Sequence, residues 1–190
     1  MYWWKLPVPP KIIFFKWLVS YNTILTKDNL TLKGWVGDQT CHFCSEHESI
    51  DHLFINCNLA QQIWFYLGKS QWVMQNWHTW DDILHFAQML DFENRTGFLI
   101  VLSAVSWSIW KHRNEVCFTN CHVKNARSLN LLIKTLYGYW SGTLKKKVKD
   151  AVGEWLPVIE DAIPLAQYMP MEVVVCQPAA GSDGGPPAMT

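Results

Sequence analysis

Charge is scarce in this chain and has no preferred sign. Only 17% of its 190 residues are Asp, Glu, Lys or Arg, and sixteen basic residues offset sixteen acidic ones. A dedicated nucleic-acid binder usually carries a basic surplus, because phosphate contacts dominate its affinity. That surplus is missing overall, so only local basic patches could serve such a role. A secretory leader is also missing: Lys11 and Lys16 interrupt the apolar N-terminal stretch, and Pro7, Pro9 and Pro10 precede it. No apolar run reaches the roughly 18 to 20 residues that a membrane span needs. The longest, Gly97 to Trp110, contains Ser103, Ser106 and Ser108. These absences point to a soluble intracellular protein, nuclear or cytoplasmic and not secreted. There is no repeat period, no phosphate-cradling glycine loop, no nucleophile–base pair and no open metal site, so no enzyme is expected.

What is abundant is apolar and aromatic mass. Hydrophobic residues make up 49% of the chain and twelve residues are Trp, enough to bury a substantial core or to pack against a neighbour. The regular structure legible in the pattern is helical. Pro9 and Pro10 suit a first helical turn, and Lys11–Tyr21 spaces Ile12, Phe15 and Leu18–Val19 along a helix that stops at Asn22. Thr26 is expected to cap a short helix with its hydroxyl, with Asp28 in the first turn and Gly34 at the end. Ser49 is placed to cap a helix carrying Asp51–Ile55. Leu59–Leu67 puts Ile63 and Trp64 on one face and stops at Gly68. Residues 69 to 78, with Trp72 and Trp77, read as a polar loop. Thr79 caps Trp80–Leu90, Asn94 opens the most apolar helix, reaching about Phe118, and a last helix covers Lys124 to Ile159 with breaks at Gly138, Gly142 or Gly153. Met171–Cys176 could form one strand, but Gln177–Thr190 has no core-forming run and the tail reads as disordered. The expected fold is mainly α: a small helical unit over 1–68 built around Cys41, Cys44, His52 and Cys57, a helical hairpin or bundle over 69–163, and a flexible tail over 164–190.

Six cysteines in a reducing compartment argue for metal or free thiols rather than disulfides. Cys41, Cys44, His52 and Cys57 stand as Cys-x2-Cys-x7-His-x4-Cys. Two cysteines three apart can face one ion across a tight turn, and His and Cys five apart can converge from a short helix. Cys3His is a closed structural zinc set with no position for an activated water. His42 and His47 compete for the fourth place. His42 lies between the two cysteines and should point away from the ion; His47, three residues beyond Cys44, would make a cramped chelate.

The order of segments carries a resemblance. VPPKIIFFKWLVSYNTILTKDNLTLKGW, then CHFC, then ESIDHLFINC, then AQQIW resembles the reverse-transcriptase zinc-binding domain found downstream of the polymerase in plant LINE-type, non-LTR retrotransposons. It covers about residues 3 to 66. The later WSIWKHRNEVCF resembles the segment that follows this domain in such elements. The resemblance implies zinc ligands at Cys41, Cys44, His52 and Cys57, and hydrophobic supports at Phe14 or Phe15, Trp17, Leu30, Leu53, Phe54 and Trp64. It also implies a role in engaging template RNA or target DNA. The polymerase palm and the endonuclease of the parent elements have no counterpart here, so the chain is expected to be a fragment or retained remnant.

Other constellations are weaker. Trp80-Asp81-Asp82 has the look of a polymerase aspartate pair but sits at a helix start, where carboxylates suit the dipole. His112, Cys117, Cys121 and His122 have poor ligand spacing. Trp107, Trp110, Lys111 and Arg113, with the basic run Lys145, Lys146 and Lys147, are the candidate nucleic-acid contacts, since aromatic and basic side chains together hold single strands; against this, a charged helix end in water and a solvated lysine face account for them better. The candidate partners are single-stranded RNA or DNA, or a host protein bound by a structural module. No small-molecule substrate and no membrane partner is expected.

Overall fold

The computed structural model describes residues 3–67, 77–119, 125–144, 146, 149 and 150. It is mostly helical, with no strand among the described residues. Helix α1 spans Pro10–Ser20, α2 Lys27–Leu32, α3 Asn58–Leu67, α4 Trp80–Met89, α5 Phe92–Thr119 and α6 Ala126–Ser141. A 3-10 turn at Trp3–Lys5 precedes α1, and a π-helical turn at His52–Asn56 precedes α3.

Local chemistry sets most of these boundaries. Pro10 begins α1, where its missing N–H costs nothing, and Asn22 leaves the helical path with φ of 51°. Helix α2 ends in a Schellman motif: Trp35 N–H bonds to Leu30 O and Gly34 N–H to Thr31 O, with Gly34 at φ +88°. Thr79 and Asp82 form a reciprocal capping box at the start of α4. His78 N–H and Thr79 N–H both bond to the Asp82 carboxylate, which holds its pKa below the usual carboxylate value. The Asp81–Asp82 pair therefore belongs to a helix start.

Two helix starts differ from the sequence expectation, while the break of α6 falls at one of the glycines expected. The Thr26 hydroxyl makes no hydrogen bond; the two N–H groups it would cap go elsewhere, Asp28 N–H to Glu48 O at 3.3 Å and Asn29 N–H to Asp28 Oδ1 at 2.7 Å, and the Glu48 carboxylate takes the Lys27 N–H at 3.0 Å. Helix α5 starts two residues before Asn94, because Asp91 accepts the Asn94 N–H at 2.9 Å. Helix α6 stops at Ser141, with Gly142 as its C-cap, while Gly138 lies inside it. Gly68, Trp72, Gly153, the Met171–Cys176 strand and the tail lie outside the described residues.

Helix α5 is the axis of the fold, packing against α1, α4 and α6. Gly97 to Ser106 are buried without interruption, which fits a helix apolar on all sides. Two of its buried serines are satisfied by the preceding turn, Ser103 bonding to Leu99 O and Ser106 to Leu102 O, whereas the buried Ser108 hydroxyl has no hydrogen-bond partner among the described residues. The core runs from Trp3 through Phe54 and Ile63 to Ile109 and Trp140 as one cluster, so the N-terminal zinc segment and the helical extension share one interior. Trp77, assigned to a polar loop from sequence, is buried among Trp64, Phe86 and Phe98. No helix among the described residues is long and apolar enough to cross a membrane.

Candidate metal centre

The segment between α2 and α3 is a short loop closed on itself. Cys41 N–H bonds to Glu46 O at 2.7 Å and Glu48 N–H to Gln39 O at 3.0 Å, with Thr40 and His47 paired as an antiparallel bridge. This turns the backbone so that Cys41 and Cys44 point the same way. Phe43 N–H reaches back to Cys41 Sγ at 3.4 Å, a contact that stabilises sulfur as it becomes anionic.

The other two donors come from the π-helical turn. Ser49 caps it, accepting the His52 N–H at 3.1 Å. On a 3.6-residue helix, side chains five apart point about 140° away from each other. The wider coil, closed by Cys57 N–H to His52 O at 2.7 Å, brings His52 and Cys57 to one side. Single π turns of this kind recur at functional sites. Trp64 holds the turn from below, its indole N–H donating to Phe54 O at 2.7 Å. Leu53, Phe54 and Cys57 are wholly buried.

The four donor atoms of Cys41, Cys44, His52 and Cys57 all lie within 4.8 Å of one another. Cys41 Sγ and Cys44 Sγ are each 3.9 Å from Cys57 Sγ, and Cys44 Sγ is 3.1 Å from His52 Nε2. A zinc–sulfur bond of about 2.3 Å implies tetrahedron edges of about 3.8 Å, so the spacing and the donor chemistry fit one structural zinc ion. The neighbouring Cys57 thiol and then burial push the Cys41 thiol pKa up, and burial raises that of Cys44. Zinc binding must therefore displace protons from these sulfurs. His47 is turned away and bonds to Gln39 at 2.8 Å; His42 does not join the cluster.

Glu48 ties this loop to the rest of the molecule. It is fully buried, and its carboxylate receives Arg113 Nη2 at 2.6 Å and Nε at 3.3 Å. The same carboxylate takes the Lys27 N–H, so one side chain joins the metal loop, α2 and α5. Sequence reasoning missed this pair, as it missed Lys16. The Lys16 ammonium is buried between the Trp80 and Trp3 rings, 3.9 and 4.9 Å from their centroids, and donates to Ser106 at 3.0 Å. Burial holds its pKa well below that of a free lysine.

The sequence-derived nucleic-acid candidates are placed less openly than their composition suggested. Arg113 is buried on Glu48 and does not face water. Trp107 and Trp110 are half-buried against Phe15, with ring centroids 5.3 and 6.1 Å away. Lys111 is exposed beside Glu115, and Lys146 is exposed; Lys145 and Lys147 lie outside the described residues. Of the expected hydrophobic supports, Phe15, Leu53, Phe54 and Trp64 are buried, while Phe14 is exposed and Trp17 and Leu30 only half-buried. In the second cluster, His112 is buried and stacks on Phe43 with ring centroids 5.2 Å apart, and burial raises the Cys117 thiol to about 11. Cys121 and His122 lie outside the described residues.

Residues 1–64 match the family model described as zinc-binding in reverse transcriptase. The match ends at Trp64, the residue whose indole closes the π-helical turn. No curated protein and no solved structure matches the chain.

Proposed function

We propose that this chain is a non-catalytic zinc-binding module of LINE-type reverse-transcriptase descent that assists RNA or DNA binding. The observation that carries the reading is the closed Cys3His set, built on a π-helical turn inside the segment that matches a reverse-transcriptase zinc-binding family. Four protein donors fill a tetrahedral zinc, leaving no place for an activated water, so the metal acts on stability rather than on substrate. The folding it supports orders the surfaces of α1 and α2 around the loop.

The test is binding of the zinc-loaded chain to single-stranded RNA and DNA by fluorescence anisotropy across a salt series. Micromolar binding that weakens steeply with salt supports the reading. Absence of binding at low salt refutes it and favours a purely structural or protein-interaction module. One observation speaks for that second reading: Leu32 and Val36 stand 83% and 96% exposed beside the metal loop, and apolar exposure of this kind suits a protein partner when it is contiguous.

A further inference from the structure

The basic surplus that the whole chain lacks is present in its first 36 residues, which hold five lysines and one aspartate. No acidic residue precedes Asp28. Lys16 and Lys27 are buried, whereas Lys5, Lys11 and Lys33 are exposed. Helix α1 lies in this segment and is apolar on both sides. Its inner face, with Ile12, Phe15 and Val19, fills the core. Its outer face carries Phe14, Trp17 and Tyr21 at the i, i+3, i+7 spacing of one helical stripe.

These three rings form a continuous row. Phe14 and Trp17 stack with centroids 5.9 Å apart and planes 18° apart; Trp17 and Tyr21 are 5.0 Å apart and tilted by 48°. Phe14 is 56% and Tyr21 59% exposed. Lys11 stands one turn before Phe14, and its ammonium lies 5.7 Å from the ring centroid of half-buried Trp107. Cation and aromatic surface are thus continuous across the junction of α1 and α5, and α1 contributes no carboxylate to oppose a phosphate.

We propose that the outer face of α1 is a stacking strip for an unpaired nucleic-acid strand, with bases laid on Phe14, Trp17 and Tyr21 and a phosphate held by Lys11. Unpaired strands are gripped by this combination of π faces and cations, without need of base-edge readout. Aromatic rings serve protein and nucleic-acid partners alike; the local positive charge, with no carboxylate on α1, is what favours a polyanion. The inference rests on the nucleic-acid reading above and assigns its location, which is α1 rather than the α5 end marked by Arg113.

The experiment titrates the zinc-loaded full chain into labelled oligouridine and, in a second arm, oligothymidine. Trp17→Ala is expected to weaken binding at least about fivefold, the low end of one lost base stack. The exposed pair Phe14→Ser with Tyr21→Ser should weaken it further, and Lys11→Gln should lower the salt slope by about one phosphate contact. Zinc content and circular dichroism should be unchanged in each. Wild-type binding that survives all three changes overturns the location and leaves the broader reading standing. Absence of wild-type binding to both oligonucleotides overturns both. Self-association that Trp17→Ala abolishes, without nucleic-acid binding, assigns the strip to a protein contact and overturns the proposal.

Discussion

Replacing Arg113 with Met should destabilise the protein by about 3 to 5 kcal/mol, the cost of leaving one partner of a buried ion pair alone. Glu48 has no exposed surface, and Arg113 is its one cationic hydrogen-bond partner in the structure described. Methionine retains much of the side-chain volume, so the cavity cost stays small and the loss reports the stranded carboxylate. Such a loss is a large fraction of the roughly 5 to 15 kcal/mol that holds a domain folded. The sharper test is the double variant Glu48→Gln with Arg113→Met. Glutamine keeps an oxygen for the Lys27 N–H now bonded to Glu48, and no buried charge remains. The double variant should therefore recover at least about 1 kcal/mol relative to Arg113→Met alone. Urea unfolding of the zinc-loaded proteins, followed by circular dichroism, measures both quantities. A loss below about 1 kcal/mol for Arg113→Met, as at an exposed pair, would refute the reasoning.

Lys16→Met should remove a pH dependence. Burial lowers the folded-state pKa of Lys16, so the wild type gains stability as pH rises from the lowered value toward about 10.5, where the unfolded lysine also becomes neutral. Relative to Lys16→Met, wild-type stability should rise with pH across that window and be lowest below it; parallel curves would show that the aromatic rings fully offset burial. Thr79→Ala removes the N-cap of α4 and should cost about 1 kcal/mol in urea unfolding; no change would mean the capping box does not bear on stability. Gly34→Ala forces a side chain into φ +88° and should cost about 1 kcal/mol, read as a lower thermal midpoint, an effect absent if α2 frays independently.

The metal site was legible because its information is local. Two cysteines three apart, a histidine and cysteine five apart, and a serine three residues before the histidine all lie within Cys41–Cys57, and the structure brings those four donors together. Thr79 was legible for the same reason: a cap acts on backbone three residues away. What stayed hidden depends on distant partners. Lys16 looked like an interruption of an apolar run because Ser106, its acceptor, lies 90 positions later. Arg113 looked like a surface cation because Glu48 lies 65 positions earlier. Thr26 failed as a hydroxyl cap because the N–H groups within its reach have other acceptors: Asp28 N–H bonds to the backbone oxygen of distant Glu48 and Asn29 N–H to the Asp28 carboxylate. Trp77 was assigned to a loop by its polar neighbours, whereas Trp64, Phe86 and Phe98 decide its burial.

The central claim is that Cys41, Cys44, His52 and Cys57 hold one structural zinc. The most direct measurement is metal content of the purified chain beside its Cys57→Ser variant, with helicity followed in both. The account predicts one zinc per wild-type chain and loss of both metal and helicity in the variant. Stoichiometric zinc retained by Cys57→Ser, or a fully helical wild-type chain stripped of metal, would contradict it.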